Sequence, residues 1–334
     1  KIKSCMEKSP AQPPAALPRL IPTLTAGFNT VAGNIKLIIL PILLDLLLWF
    51  GPHLRLKQML QPSISESFAN LPANFPADVA TSVQTLWVEI LERFNLISAL
   101  APFPIGLPSL MGAAPPMNNP TGSPMVFEMG DPLTSLLVWV ALSFLGMLIG
   151  SVYLNSIARA THERPPEFSF RAYLQQAAQA VVLTLILILL ALIFSIPMLI
   201  LVSLLSALTG GLGQFALLFF AFIVIWLLIP MVFAPHGIFV LGQKASTSLL
   251  FSIRLVRFFL PGTGLFVLTS VVLHEGLKIL WLSPAETSWM MAIGIFGHAF
   301  IITSLLAASF FYYRSGVRIM QANLQRAAQA ETAA

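Results

Sequence analysis

The run VVLHEGLKILW, Val271 to Trp281, sets a histidine, a glutamate and a lysine into an otherwise apolar segment. In a zinc protease of the H-E-x-x-H type, two histidines one helical turn apart hold the metal and the glutamate acts as general base. Here the fifth position is Lys278, and an ammonium has no lone pair to give a metal. A zinc-protease reading is therefore excluded, and the sequence implies neither a metal nor any other cofactor.

Two uses remain for these residues. On a helix His274, Glu275 and Lys278 share one face, and two further ionisable groups, Asp45 and His298, sit in other apolar runs. Such a set can relay protons or hold an anionic group in a wet cavity. It can also be structural: Glu275 and Lys278 neutralise each other at i, i+3, while Asp45 and the histidines bond across helices. The structural use is the expected one. Lys278 and Asp45 each lie about five residues, or ~7 Å, below the outer ends of their spans, and the histidines lie deeper. This predicts two layers, with Asp45 beside Lys278 and Glu275 above and His274 with His298 below.

The elements that carry these residues follow from composition. Of 334 residues, 57% are hydrophobic and 9% are charged, whereas a soluble domain carries roughly 25% charged residues. The apolar runs reach the length needed to cross ~30 Å of hydrocarbon. The reading is an all-α polytopic membrane bundle of six transmembrane helices, at about 35–50, 133–158, 177–208, 215–241, 264–282 and 289–313. Residues 1–19 and 314–334 are predicted as tails, 20–50 as an elbow helix and first span, 51–132 as an insert, and 133–313 as the remaining five spans. The N-terminal stretch KIKSCMEKSPAQPPAALPRL has no apolar core of the signal-peptide kind.

Within the insert, Val83, Leu86, Trp87, Ile90, Leu91 and Phe94 recur at helical spacing and predict an amphipathic helix over 77–100. The proline- and glycine-rich but apolar stretch APFPIGLPSLMGAAPPMNNPTGSPM follows. It reads as an irregular cap lying on the membrane or on other helices.

Charge orients the spans. Residues 51–132 hold three basic and six acidic residues, while Arg159, Arg164 and Arg171, then Lys244, Arg254 and Arg257, then Arg314, Arg318 and Arg326 flank the alternate ends. The positive-inside rule then puts both termini in the cytoplasm and the insert outside a bacterial inner membrane. The formal charge of +5 is spread over helix ends rather than gathered into a patch, so nucleic acid is not an expected partner. A lone Cys5 excludes an internal disulfide.

F-S-x-R occurs at Phe168 to Arg171 and again at Phe251 to Arg254, each time ahead of a span, and TLTAGFNTVAGN precedes the first span in the same way. This predicts three repeated units, each an interfacial elbow helix followed by a transmembrane hairpin. The run IPMVFAPHGIFVLGQKASTSLLFSIRLVRFFLPGTGLFVL resembles the membrane-domain family found fused to some glycerophosphodiester phosphodiesterases and its uncharacterised bacterial multi-pass relatives. The likeness covers spans three to six and implies a six-helix membrane module. It does not transfer the phosphodiesterase activity, because the chain carries no such barrel, and the large insert departs from the family pattern.

GMLIG, Gly146 to Gly150, is a G-x-x-x-G pattern that predicts close packing within the protein. Pro41, Pro197 and Pro230 are expected to kink their spans. No Walker loop, dinucleotide fingerprint or nucleophile elbow is present. The expected function is a non-enzymatic membrane module, a helper subunit or scaffold, contacting lipid throughout and a membrane-protein partner through residues 77–129. The alternative is a transporter of a small or lipid-like substrate that uses Asp45, His274, Glu275, Lys278 and His298.

Overall fold

Long apolar runs leave the backbone one way to satisfy its hydrogen bonds in lipid, which is the helix. The computed structural model, which describes residues 19–70, 77–164, 169–208 and 210–333, is a bundle of this kind. Its helices are α1 (Leu20–Gly33), α2 (Ile39–Phe50), α3 (Lys57–Ala69), α4 (Ala77–Arg93), α5 (Pro132–Ala160), α6 (Phe170–Leu208), α7 (Gly210–Leu228), α8 (Ala234–Leu241), α9 (Ala245–Phe258), α10 (Leu260–Trp281) and α11 (Met290–Ala333). Five helical segments are long and apolar enough to cross a membrane, and a sixth is the bent pair Leu20–Gly33 and Ile35–Phe50 counted as one. The chain is a multi-pass membrane protein.

Two of the three predicted elbows are separate helices. The axis turns by 93° between α1 and the segment leading into α2, at Asn34 with φ −136° and ψ 59°. Helix α9 stops at Phe259, and Pro261 lies in the first turn of α10, where a missing N–H costs nothing. The third elbow is not separate. Helix α6 runs unbroken for 39 residues, or ~58 Å, because RAYLQQAAQA is made of good helix formers without glycine or proline. Phe168, in the other F-S-x-R copy, lies outside the described residues. Pro230 does interrupt its span, in the 3-10 turn Ile229–Met231 between α7 and α8, whereas Pro197 sits inside the continuous α6.

The expected tail from residue 314 is instead the continuation of α11, which spans 44 residues. Arg314 is buried there and donates to the Ala158 and Thr161 carbonyls at 2.7 and 2.8 Å. A guanidinium at that position caps the C-terminus of α5, whose last carbonyls have no partner within their own helix. The tail at 1–18 lies outside the described residues.

The predicted helix over 77–100 ends at Arg93. Asn95 adopts an extended conformation and its side-chain oxygen accepts from the Ile97 and Leu54 backbone N–H groups, which turns the chain inward. Two short parallel strands, β1 (His53–Arg55) and β2 (Val126–Glu128), close the base of the insert.

The core is not made by spans alone. Ile97, Leu100, Ile105, Leu107, Leu110 and Met111 from the insert are buried in one cluster with Leu44 and Leu48 of α2, Tyr153 and Ile157 of α5, and Leu183 of α6. A large part of the apolar cap therefore packs between helices, while Phe103 and Met125 of the same stretch stay exposed. By contrast, none of the most apolar stretch of α6 or of the span containing α7 is buried.

Candidate functional site

Asp45 on α2 is fully buried. Its carboxylate accepts from Ser109 Oγ at 2.5 Å, from the Leu110 N–H at 3.1 Å and from the Met111 N–H at 3.2 Å. These three donors come from the insert, so the carboxylate anchors the loop that enters the bundle. An unpaired charge at that depth would be strongly unfavourable, and three donors with good geometry remove that cost.

The same loop sits on the G-x-x-x-G face of α5. A Cβ at Gly146 would collide with the Leu100 carbonyl oxygen, and one at Gly150 would meet that of Ile105 at 2.7 Å. The small residues do serve close packing within the protein, and their partner is loop backbone rather than another helix. Gly150 lies 18 residues into α5 from Pro132, a distance of ~27 Å. The loop thus reaches past the midpoint of the helix. Phe103, largely exposed, and Pro104 line a cavity together with Pro235 and His236 at α8.

A third anchor lies at the cap end. Glu286, in the short connection between α10 and α11, accepts from Arg93 Nη1 at 2.7 Å and from the Met117 N–H at 2.9 Å. The backbone carbonyl of Glu286 accepts from Trp49 Nε1 at 3.0 Å. Glu286 beside it holds the Arg93 guanidinium above its ordinary value, and the hydrogen bond from Lys57 holds the Glu92 carboxyl below its own. Asn119 adds a bond from its side-chain amide to the Trp49 carbonyl at 3.2 Å. His53, the buried first residue of β1, donates from Nε2 to the Leu48 carbonyl at 3.3 Å, and burial holds its imidazole below the ordinary value.

The five ionisable residues singled out from the sequence do meet, in a different order from the two layers expected. Asp45 is next to His298, with Nδ1 4.0 Å from Oδ2. The rings of His298 and His274 stand 5.3 Å apart between centroids. His274 Nε2 lies 3.5 Å from Glu275 Oε1, and Lys278 Nζ lies 3.5 Å from Glu275 Oε2. The set is a row, sealed at Asp45 and open at Glu275. Lys278 pairs with its helical neighbour rather than with Asp45, because donors of the entering loop reach the carboxylate first. Among the described residues, no three His, Cys, Asp or Glu side chains gather in a way that would hold a metal.

Glu286, Asn95 and Ser109 were not among the residues singled out from the sequence. Glu286 alone carried a signal, as the lone acid in the short connection LSPAETSW between two spans. Comparison with protein-family models, with curated proteins and with solved structures finds no match to the chain.

Proposed function

We propose that the protein is a non-enzymatic membrane module, a helper subunit or scaffold, whose cap holds α4 rigidly as a docking face for a partner protein outside the membrane. One observation carries this reading. The residues just after α4 are anchored at Asp45, at Gly146 with Gly150 and at Glu286, while Val83, Leu86, Trp87 and Ile90 on α4 itself are left exposed, Leu86 at 55% and Trp87 at 44%. A loop that only linked two spans would need neither the anchors nor the apolar stripe.

The chemistry of α4 favours a protein over a lipid surface. Helices that lie on bilayers carry Lys and Arg on the polar face. Here that face carries Asp78, Glu89 and Glu92, and its one cation, Arg93, is held by Glu89 and Glu286. The complementary partner is an apolar helix rimmed with basic residues.

Transport through the row from Asp45 to Lys278 is less well supported, because the Asp45 acceptor sites are taken by the loop. The test is site-specific photo-crosslinking in native membranes, with the photoreactive residue at Leu86 or Trp87 and, as a control, at Ser82. One discrete protein adduct from Leu86 and Trp87 that is missing from Ser82 and disappears with Ile90→Glu is expected. Adducts to lipid alone, or equal labelling from all three positions, would overturn the reading.

A further inference from the structure

At the end of the bundle opposite the cap, a cavity of about 570 Å³ opens between the α1–α2 junction, the last turns of α5 and the first turn of α6. Its wall holds two cations, Lys36 and Arg159, the polar Asn155 and Ser156, and the aromatic pair Phe170 and Tyr173. Among the described residues, no carboxylate lines it. The neutral donors are committed to the fold: Ser156 Oγ to the Val152 carbonyl, Tyr173 Oη to the Leu148 carbonyl and Asn155 Nδ2 to Gln176 Oε1. Recognition of a ligand therefore falls to charge: Arg159 already has an interaction within the chain, and it adds its fixed positive charge and a guanidinium with five N–H donors. Lys36 is exposed and ion-pairs with no carboxylate among the described residues.

Two cations over a mostly apolar wall select an amphiphile with an anionic head. Phosphate is an anion that both lysine and arginine bind through charge-assisted hydrogen bonds, and the cavity volume falls within the ~300–1,000 Å³ of small-molecule sites. The rest of the wall bears on the source of that phosphate. Phe170 is exposed, as is Val152 one turn along α5 from Ser156, so the cavity opens sideways onto surface that faces lipid. A soluble phosphate would have no use for that side. Basic pockets between helices at the cytoplasmic boundary are suited to anionic lipid headgroups, and this is the end of the bundle that the charge distribution places in the cytoplasm.

We propose that this cavity binds the phosphate of an anionic glycerophospholipid from the adjoining leaflet, with Lys36 and Arg159 on the headgroup and Phe170 and Val152 along the start of the acyl chains. The site is independent of the cap and of any partner there.

Native mass spectrometry of the full chain in a neutral detergent tests it, with phosphatidylglycerol, phosphatidylcholine and inorganic phosphate added separately. Phosphatidylglycerol is expected to be retained about tenfold or more over phosphatidylcholine, from two cations near one phosphate. Lys36→Gln with Arg159→Gln should remove that preference, Lys36→Arg should keep it, and Lys244→Gln, a cation at the same end but outside the cavity, should leave it intact. A matching thermal unfolding curve without lipid shows that the double variant is folded. If it is not, Lys36→Gln alone, at an exposed position, must weaken the preference at least threefold. Equal retention of the two lipids, or a preference untouched by the Lys36→Gln variants, overturns the proposal. So does displacement of the lipid by millimolar inorganic phosphate, which would assign the cavity to a soluble phosphate ester.

Discussion

Asp45 and Glu275 are both carboxylates in apolar helices, and they belong to one row of side chains, Asp45 at its sealed end and Glu275 beside Lys278 at the open one. Asp45 is sealed and receives three hydrogen bonds from a loop 64 to 66 residues further along the chain. Glu275 has a side chain 57% exposed and, among the described residues, ion-pairs only with His274 and Lys278 of its own helix. One is a tertiary anchor and the other a local pair. The contrast teaches that an acid in a span owes its role to the element that reaches it, not to its depth. Depth alone matches Asp45 with Lys278, and the structure does not pair them.

The contrast is broken most forcefully at Asp45. Asp45→Ala leaves the buried Leu110 and Met111 N–H groups without an acceptor, at ~1–3 kcal/mol for each, and frees the half-buried Ser109 hydroxyl. A loss of about 3–5 kcal/mol in detergent unfolding is expected, together with new thiol labelling of Leu110→Cys in a Cys5→Ser background. If the loss is below ~1 kcal/mol and the thiol introduced by Leu110→Cys stays protected, the loop does not depend on this anchor.

Next in size is a pair of glycine substitutions. Gly146→Ala drives a methyl into the Leu100 carbonyl and is expected to destabilise by ~1–3 kcal/mol, as overpacking does. Gly276→Ala, on α10 where an added Cβ meets nothing within 4 Å, should instead stabilise by up to ~1 kcal/mol through helix propensity. Melting temperatures that move in the same direction for both would remove the special standing of the α5 groove.

A smaller effect is expected from pH at His53. Its folded pKa lies below the ordinary 6.5, so above that value both folded and unfolded forms are neutral and its contribution to stability is complete. As pH falls below 6.5 the unfolded chain takes up the proton first, and the cap loosens progressively toward the folded pKa. Limited proteolysis about one pH unit above and one below the ordinary histidine value should show faster cleavage of the insert at the lower pH, and His53→Gln should flatten the difference.

Least is expected of Glu275→Gln. An exposed i, i+3 pair contributes ~0.5 kcal/mol or less. A loss near that of Asp45→Ala would mean that the row acts as one unit.

The helices were legible in the sequence because apolar runs of span length have few alternatives. The face of α4 and the packing role of Gly146 and Gly150 followed from spacing. The identity of what packs there did not, since G-x-x-x-G reports that something comes close without saying whether it is helix or loop. The elbow expected before span three is missing as a separate helix because a four-residue likeness says nothing about a break. The break depends on a stop such as Asn34 or Pro261, and RAYLQQAAQA has none. Asn95 and Ser109 were invisible for another reason: a polar residue in a loop carries no periodic signal, and its partner is fixed only when distant segments meet.

Anchors far apart in the chain also set an order of assembly. Translation delivers Asp45 to the bilayer before Ser109 exists, and α1 lies against Ser304 and Ala308 of α11, with Gly27 as the point of closest approach. The first helix cannot find its seat until the last one has been made. During biogenesis a chain stalled before the insert therefore carries an unclaimed carboxylate at Asp45, whereas one stalled before α11 has that acid covered and leaves α1 without its seat, two different marks of incompleteness for membrane proteases and chaperones.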